Sequence, residues 1–136
     1  MAITATETTP LISFTLPGTP YSVQMARFYV RTALSYHDLG DYVEDIEAVT
    51  SELVSNAVMH AGARAFGLEL LRLTDDPGAV AVAVTDPSPL PPIMRAPAAS
   101  DDHGRGLLVV EALSARWGWR PKDSGKTVFA ILAREG

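Results

Sequence analysis

Between Leu11 and Leu16 the apolar residues Ile12, Phe14 and Leu16 alternate with Ser13 and Thr15, which predicts a strand. Pro17-Gly18 reads as a turn. Thr19 then stands where a helix N-cap belongs, with Pro20 at the first helical position. Val23, Ala26, Val30, Ala33 and Leu34 recur at helical spacing, so an amphipathic helix is expected over 20–37, with Gly40 closing that section. Asp41 and Glu44 have capping-box spacing, and a second helix is expected from 41 to about 61, stopped by Gly62. Phe66, Leu68 and Leu70 alternate with Gly67 and Glu69, and Val80, Val82 and Val84 alternate with alanines. Asp75-Asp76-Pro77-Gly78 between these runs completes a β-hairpin signal.

The pattern stops from Asp86 to His103, a stretch that carries Pro87, Pro89, Pro91, Pro92 and Pro97. Proline blocks helix and donates no backbone hydrogen bond. A long connection inside a compact domain is commonly a functional lid, here expected at 87–103. Gly104-Arg105-Gly106 then leads into Leu107, Leu108, Val110 and Leu113, a third helix of about three turns. Trp117–Arg120 predicts a strand, 121–125 a turn and Thr127–Ala133 a last strand. The order β-α-α-β-β-lid-α-β-β implies an α/β domain whose sheet is mixed and mainly antiparallel.

With 136 residues the chain fits one domain, expected at 11–136, behind a Thr-rich flexible tail at 1–10. A hydrophobic fraction of 47% against 20% charged supports a packed core. Eleven Lys and Arg against sixteen Asp and Glu leave a net charge of −5, which argues against direct nucleic-acid binding. The absence of cysteine excludes disulfides, thiolate metal sites and cysteine nucleophiles. No apolar run approaches the ~20 residues that span a bilayer, and the N-terminus has no signal-peptide pattern. A cytoplasmic protein without membrane contact is the expectation.

Several motifs dissolve on inspection. Gly125-Lys126-Thr127 ends like a phosphate-binding Walker loop, but the required upstream glycine is missing and a strand follows instead of a helix. His37, His60 and His103 lack metal-ligand spacing. Helix 2 is more informative. On a wheel, Val49, Leu53, Ile46 and Ala57 form its apolar stripe, and Glu52 and Asn56 are i, i+4 neighbours at the stripe's edge. In a half-buried pocket that carboxylate could accept a proton and that amide oxygen could bind a hard cation such as Mg²⁺. The alternative is a solvated polar edge with an Asn–Glu hydrogen bond. Asp86 ends the valine-rich strand, where a carboxylate could receive a hydrogen bond from an exocyclic amine; a loop-starting Asp is the alternative. Gly104-Arg105-Gly106 opens helix 3, where backbone N–H groups can approach an anion; a simple hinge is the alternative.

The order of these features resembles the GHKL ATPase superfamily, which includes gyrase and histidine kinases. Glu52-Leu53-Val54-Ser55-Asn56-Ala57-Val58-Met59-His60-Ala61 resembles its N box, Asp86 its G1 aspartate, Gly104-Arg105-Gly106-Leu107 its G2 box, and Gly125-Lys126-Thr127-Val128 its closing Gly-x-Thr element. Short single-domain members with this layout are similar to bacterial anti-sigma-factor serine/threonine kinases. The resemblance implies a two-layer α/β sandwich, a mixed, mainly antiparallel sheet with helices on one face and ATP held under the lid. It implies Glu52 as general base, Asn56 as the Mg²⁺ ligand, Asp86 on the adenine amine, Gly104, Arg105 and Gly106 at the phosphates, and Thr127 near adenine. His60 is read as structural, not as a phosphoacceptor. The implied cofactors are ATP and Mg²⁺. The implied partners are a sigma factor and an anti-anti-sigma antagonist carrying the phosphorylated Ser or Thr. Family members are often homodimers, which makes helix 1 a candidate interface. One departure stands out: the G1 box normally continues Asp-x-Gly-x-Gly, and this chain reads Asp86-Pro87-Ser88-Pro89. That change favours an alternative function, a non-catalytic protein-binding module with weak nucleotide binding.

Overall fold

A computed structural model describes residues 7–60, 64–92 and 106–133 of the chain. Strand β1 (Thr8–Pro17) is followed by helix α1 (Tyr21–Tyr36), a 3-10 turn at Gly40–Tyr42 and helix α2 (Val43–His60). Strands β2 (Ala65–Leu73) and β3 (Val80–Asp86) form a hairpin; then come helix α3 (Gly106–Leu113) and strands β4 (Arg116–Lys122) and β5 (Gly125–Leu132). The five strands make one sheet in the order β1-β2-β3-β5-β4. Every pairing among the described residues is antiparallel, where a mixed sheet was expected.

Strand periodicity sorts the sheet into two faces. Phe66, Leu68, Leu70, Val80, Val82, Val84, Val128, Ala130 and Leu132 point to one face and pack with Val30 and Leu34 of α1, Ile46, Val49 and Leu53 of α2, and Val110 of α3. The other face carries no helix among the described residues, yet Leu71, Leu73, Ala79, Ala81, Ala83, Phe129 and Ile131 form a second buried cluster there. Small alanines on β3 let the larger side chains of β2 and β5 lean together over it. All eight residues of β5 are consequently buried.

Several boundaries differ from expectation, each for a local reason. The first strand begins at Thr8 through pairing with Leu73, so residues 8–10 join the sheet and not the tail. Thr19 makes no side-chain cap; Pro20 holds the cap position, and the Ser22 hydroxyl donates to the Pro17 carbonyl at 2.6 Å. Gly40 does not close α1. Asp38 does, at φ 59°, while Leu39 N–H reaches back to the Leu34 carbonyl at 2.7 Å in a Schellman-type closure. Asp tolerates this left-handed conformation better than most side chains. The 3-10 turn displaces the start of α2 from 41 to Val43. There the Tyr42 hydroxyl donates to the Gly78 carbonyl and ties helix to hairpin. Among the described residues helix α3 runs over Gly106–Leu113 and ends before Ser114, where the chain turns into β4. The last turn contracts to Asp123-Ser124, with Asp123 at φ 53°, which lengthens β4 and β5 at its two sides.

Candidate functional site

Helix α2 presents the first part of the site. Ile46, Val49, Leu53 and Ala57 are buried as the wheel requires, and Val54 and Thr50 join them. The Thr50 hydroxyl is satisfied inside the helix, on the Ile46 carbonyl at 2.7 Å. Glu52 and Asn56 lie one turn apart and are both half-buried at the edge of this stripe. Their helix packs against both β3 and α3. The elements carrying Glu52, Asn56, Asp86 and Gly106 are thus neighbours, and Gly106 is the first residue of α3. Gly104, Arg105 and most of the 87–103 lid lie outside the described residues, as does the side chain of His60.

The second part is the paired ends of β3 and β5. Asp86 and Lys126 are direct cross-strand partners, as are Thr85 and Thr127. Asp86 and Lys126 share the parity of Val84 and Val128 and therefore lie on the helix-bearing face. Thr85 and Thr127 share the parity of Ala83 and Phe129 and lie on the other, where their hydroxyls bond to each other at 2.8 Å. Thr127 is therefore not brought beside the Asp86 carboxylate; Lys126 is. Its ammonium donates to Asp86 Oδ1 at 3.1 Å and to the Ser88 carbonyl at 3.4 Å. The side chains of Lys126 and Asp86 are only 3% and 1% exposed. Asp86 Oδ1 also accepts the Ser88 N–H at 2.8 Å, an Asx turn at the start of the proline loop.

Register, not rotamer choice, imposes this pairing. Gly125 passes so close to the preceding strand end that a Cβ on it would collide with the Asp86 carbonyl oxygen and come within 2.8 Å of Pro87 Cα. Lys126 follows that glycine directly, and the register sets it opposite Asp86. A cleft of about 290 Å³ at the strand ends is lined by Thr15, Gly67, Thr85, Asp86, Pro87 and Gly125. Lys126 is the residue that sequence reasoning missed. In sequence it stands in a discarded Walker-like tripeptide and at the variable position of the Gly-x-Thr element, and its partner lies 40 positions away.

These residues divide into two chemistries. Glu52 and Asn56 offer a carboxylate and an amide oxygen at a half-buried edge, a donor set that suits a hard cation and a nearby proton acceptor. Among the described residues no group of three or more His, Asp or Glu forms a metal cluster, so a cation here would rely on a ligand's own oxygens as well. Asp86 and Lys126 offer a buried, mutually neutralised pair. Among the described residues no helix is long and apolar enough to cross a membrane.

Residues 16–132 match the family model of the histidine kinase-like ATPase domain. The chain is 41% identical over 68 residues to an uncharacterized protein of Streptomyces coelicolor, a match covering 48% of this chain and 65% of that one. The chain thus spans just under two thirds of that relative's length. The crystal structure of the RsbU and RsbW domains of Rv1364c from Mycobacterium tuberculosis superposes with a TM-score of 0.65 at 23% identity, covering 92% of this chain and 32% of that one. That likeness establishes the shared fold.

Proposed function

Because the chain belongs to the histidine kinase-like ATPase domain family, we propose that it is an anti-sigma-factor-type regulator that uses Mg-ATP to phosphorylate a Ser or Thr of an antagonist protein and that sequesters a sigma factor. The observation that carries this reading is the placement of Glu52 and Asn56, one turn apart and half-buried on the helix that packs against both β3 and α3. Family membership implies ATP, and ATP would supply the γ-phosphoryl group, with Mg²⁺ offsetting its charge. Asn56 presents the amide oxygen for the cation. Glu52 takes the proton of the attacking hydroxyl as the new oxygen–phosphorus bond forms and the bond to the departing diphosphate breaks. The N-terminal end of α3 would turn its backbone N–H groups toward an anion, in the segment where Gly104 and Arg105 are expected to contribute. For a homodimer, the candidate face is α1, whose Tyr21, Phe28 and Tyr36 are exposed beside the open edge strand β1.

The buried Asp86–Lys126 pair favours the second reading, a non-catalytic protein-binding module in which nucleotide is a weak ligand. A radiolabelled phosphate-transfer assay with candidate antagonists, paired with nucleotide titration, separates the two. Glu52→Gln keeps shape and removes the base, so transfer should fall by roughly 10²–10⁴ while Mg-ATP binding persists. Asn56→Ala should weaken Mg-ATP binding itself. Wild-type protein that binds ATP and transfers phosphate to no candidate partner would leave the binding module as the reading.

A further inference from the structure

A site that selects adenine needs polar groups turned toward the base edge: an acceptor for the exocyclic amine and donors for ring nitrogens. The polar side chains that end β3 and β5 are turned toward one another instead, Asp86 toward Lys126 and Thr85 toward Thr127, and the charged pair is almost wholly buried. Asp86 is the carboxylate at the expected position, and its Oδ1 accepts both Lys126 Nζ at 3.1 Å and Ser88 N–H at 2.8 Å. Over residues 87–90 the loop has no uncommitted backbone donor to take its place. Pro87 and Pro89 have no N–H, the Ser88 N–H is on Asp86, and the Leu90 N–H is on the Ser88 hydroxyl at 3.3 Å. Thr127 is bonded to Thr85 on the far face of the sheet. Among the described residues, a carboxylate already engaged and neutralised by an ammonium is a poor fit to the amine edge of adenine.

We infer that Lys126 is a specificity-determining residue: by engaging Asp86 within the protein it cancels base recognition, so that the site takes nucleoside triphosphates through their phosphate end with little regard to the base. The inference rests on the ATPase reading above. A lone buried carboxylate would reward the N6 amine of adenine and repel the O6 oxygen of guanine. An ammonium in register beside it removes both effects, because the pair is neutral and its members are turned toward each other. Register makes this a built property. Asp86 and Lys126 are fixed opposite one another by the β3–β5 ladder, and Gly125 allows the strand ends to approach closely enough for the pair to close.

The test is calorimetric titration of the whole chain with the magnesium salts of ATP, GTP and CTP, and with tripolyphosphate, alongside the Lys126→Thr variant. Wild-type protein should bind the three nucleotides within about threefold of one another. Lys126→Thr leaves room for water around Asp86 and restores a free carboxylate. It should gain a preference for ATP over GTP of roughly tenfold or more, the scale of one hydrogen bond to a charged acceptor. A tenfold or larger preference for ATP in the wild type overturns the inference while leaving the ATPase reading in place. Base-blind binding by a folded Lys126→Thr protein overturns the role given to Lys126. If neither protein binds any of the four ligands, the ATPase reading fails and the inference with it. Should the variant fail to fold, the wild-type comparison decides alone.

Discussion

At the scale of single residues, the strongest constraint is the buried ion pair at the ends of β3 and β5. A carboxylate and an ammonium that are 1% and 3% exposed cannot rely on water, so each depends on the other. Lys126→Met keeps the volume and removes the charge, leaving Asp86 with only the Ser88 N–H. The expected loss is about 3–5 kcal/mol in urea unfolding, the usual penalty for stranding a buried charge. Asp86→Asn combined with Lys126→Met removes both charges and should recover most of that loss. A double variant no more stable than Lys126→Met would mean that Asp86 is hydrated in the native state. Asp86 stands out in sequence, because a carboxylate ending a valine-rich strand before a run of prolines is locally conspicuous. Lys126 does not, because its significance lies in cross-strand register, which sequence periodicity does not carry between strands that are not joined by a hairpin. For the same reason Thr127 reads as a site residue in sequence and faces the other side of the sheet in the structure.

At the scale of elements, α1 and α2 are joined by more than their apolar seam. Glu47 on α2 is buried, and its carboxylate accepts Arg31 Nε at 2.8 Å and Arg27 Nε at 3.4 Å, both arginines reaching across from α1. The arginines are about half exposed or more, so neither pair is worth a buried bridge by itself. The carboxylate nevertheless needs at least one partner. Arg31→Ala should cost about 1 kcal/mol and Arg27→Ala less, given its longer contact. The double variant should cost more than their sum, because only then is the buried Glu47 left unpaired. Additive losses in chemical denaturation would show that water replaces the arginines at no cost. The helices and the β2–β3 hairpin were legible in sequence because their apolar periods are long and their turn chemistry local. Their ends were not. The closure of α1 by Asp38 and the 3-10 entry to α2 depend on φ angles and carbonyl partners that residue type alone does not dictate.

At the scale of the molecule, β3 and β5 belong to both buried clusters, so neither face of the sheet can open without disturbing the other. Sequence alternation separates the valines of β3 from its alanines but does not show that those alanines join Leu71, Phe129 and Ile131 in a second buried cluster, because that depends on cross-strand register. The helix carrying Glu52 and Asn56 packs on that same central strand and on α3, which joins the first and second halves of the chain. Unfolding should therefore be a single cooperative transition, and a ligand held between these elements should stabilise the whole domain. For a nucleotide present at a hundredfold excess over its dissociation constant, the gain is about 2.7 kcal/mol. For a domain of this size that corresponds to a rise in melting temperature of about 10 °C. Calorimetric melting with millimolar Mg-ATP measures it directly. Asn56→Ala should melt close to the wild type without ligand, because the residue sits at the rim of the apolar stripe, and should show a much smaller rise with it. A wild-type melt unmoved by Mg-ATP and by Mg-GTP alike would separate the fold from its expected ligand and leave a protein-binding role for the domain. A ligand-induced rise that survives Asn56→Ala intact would place the metal on other residues.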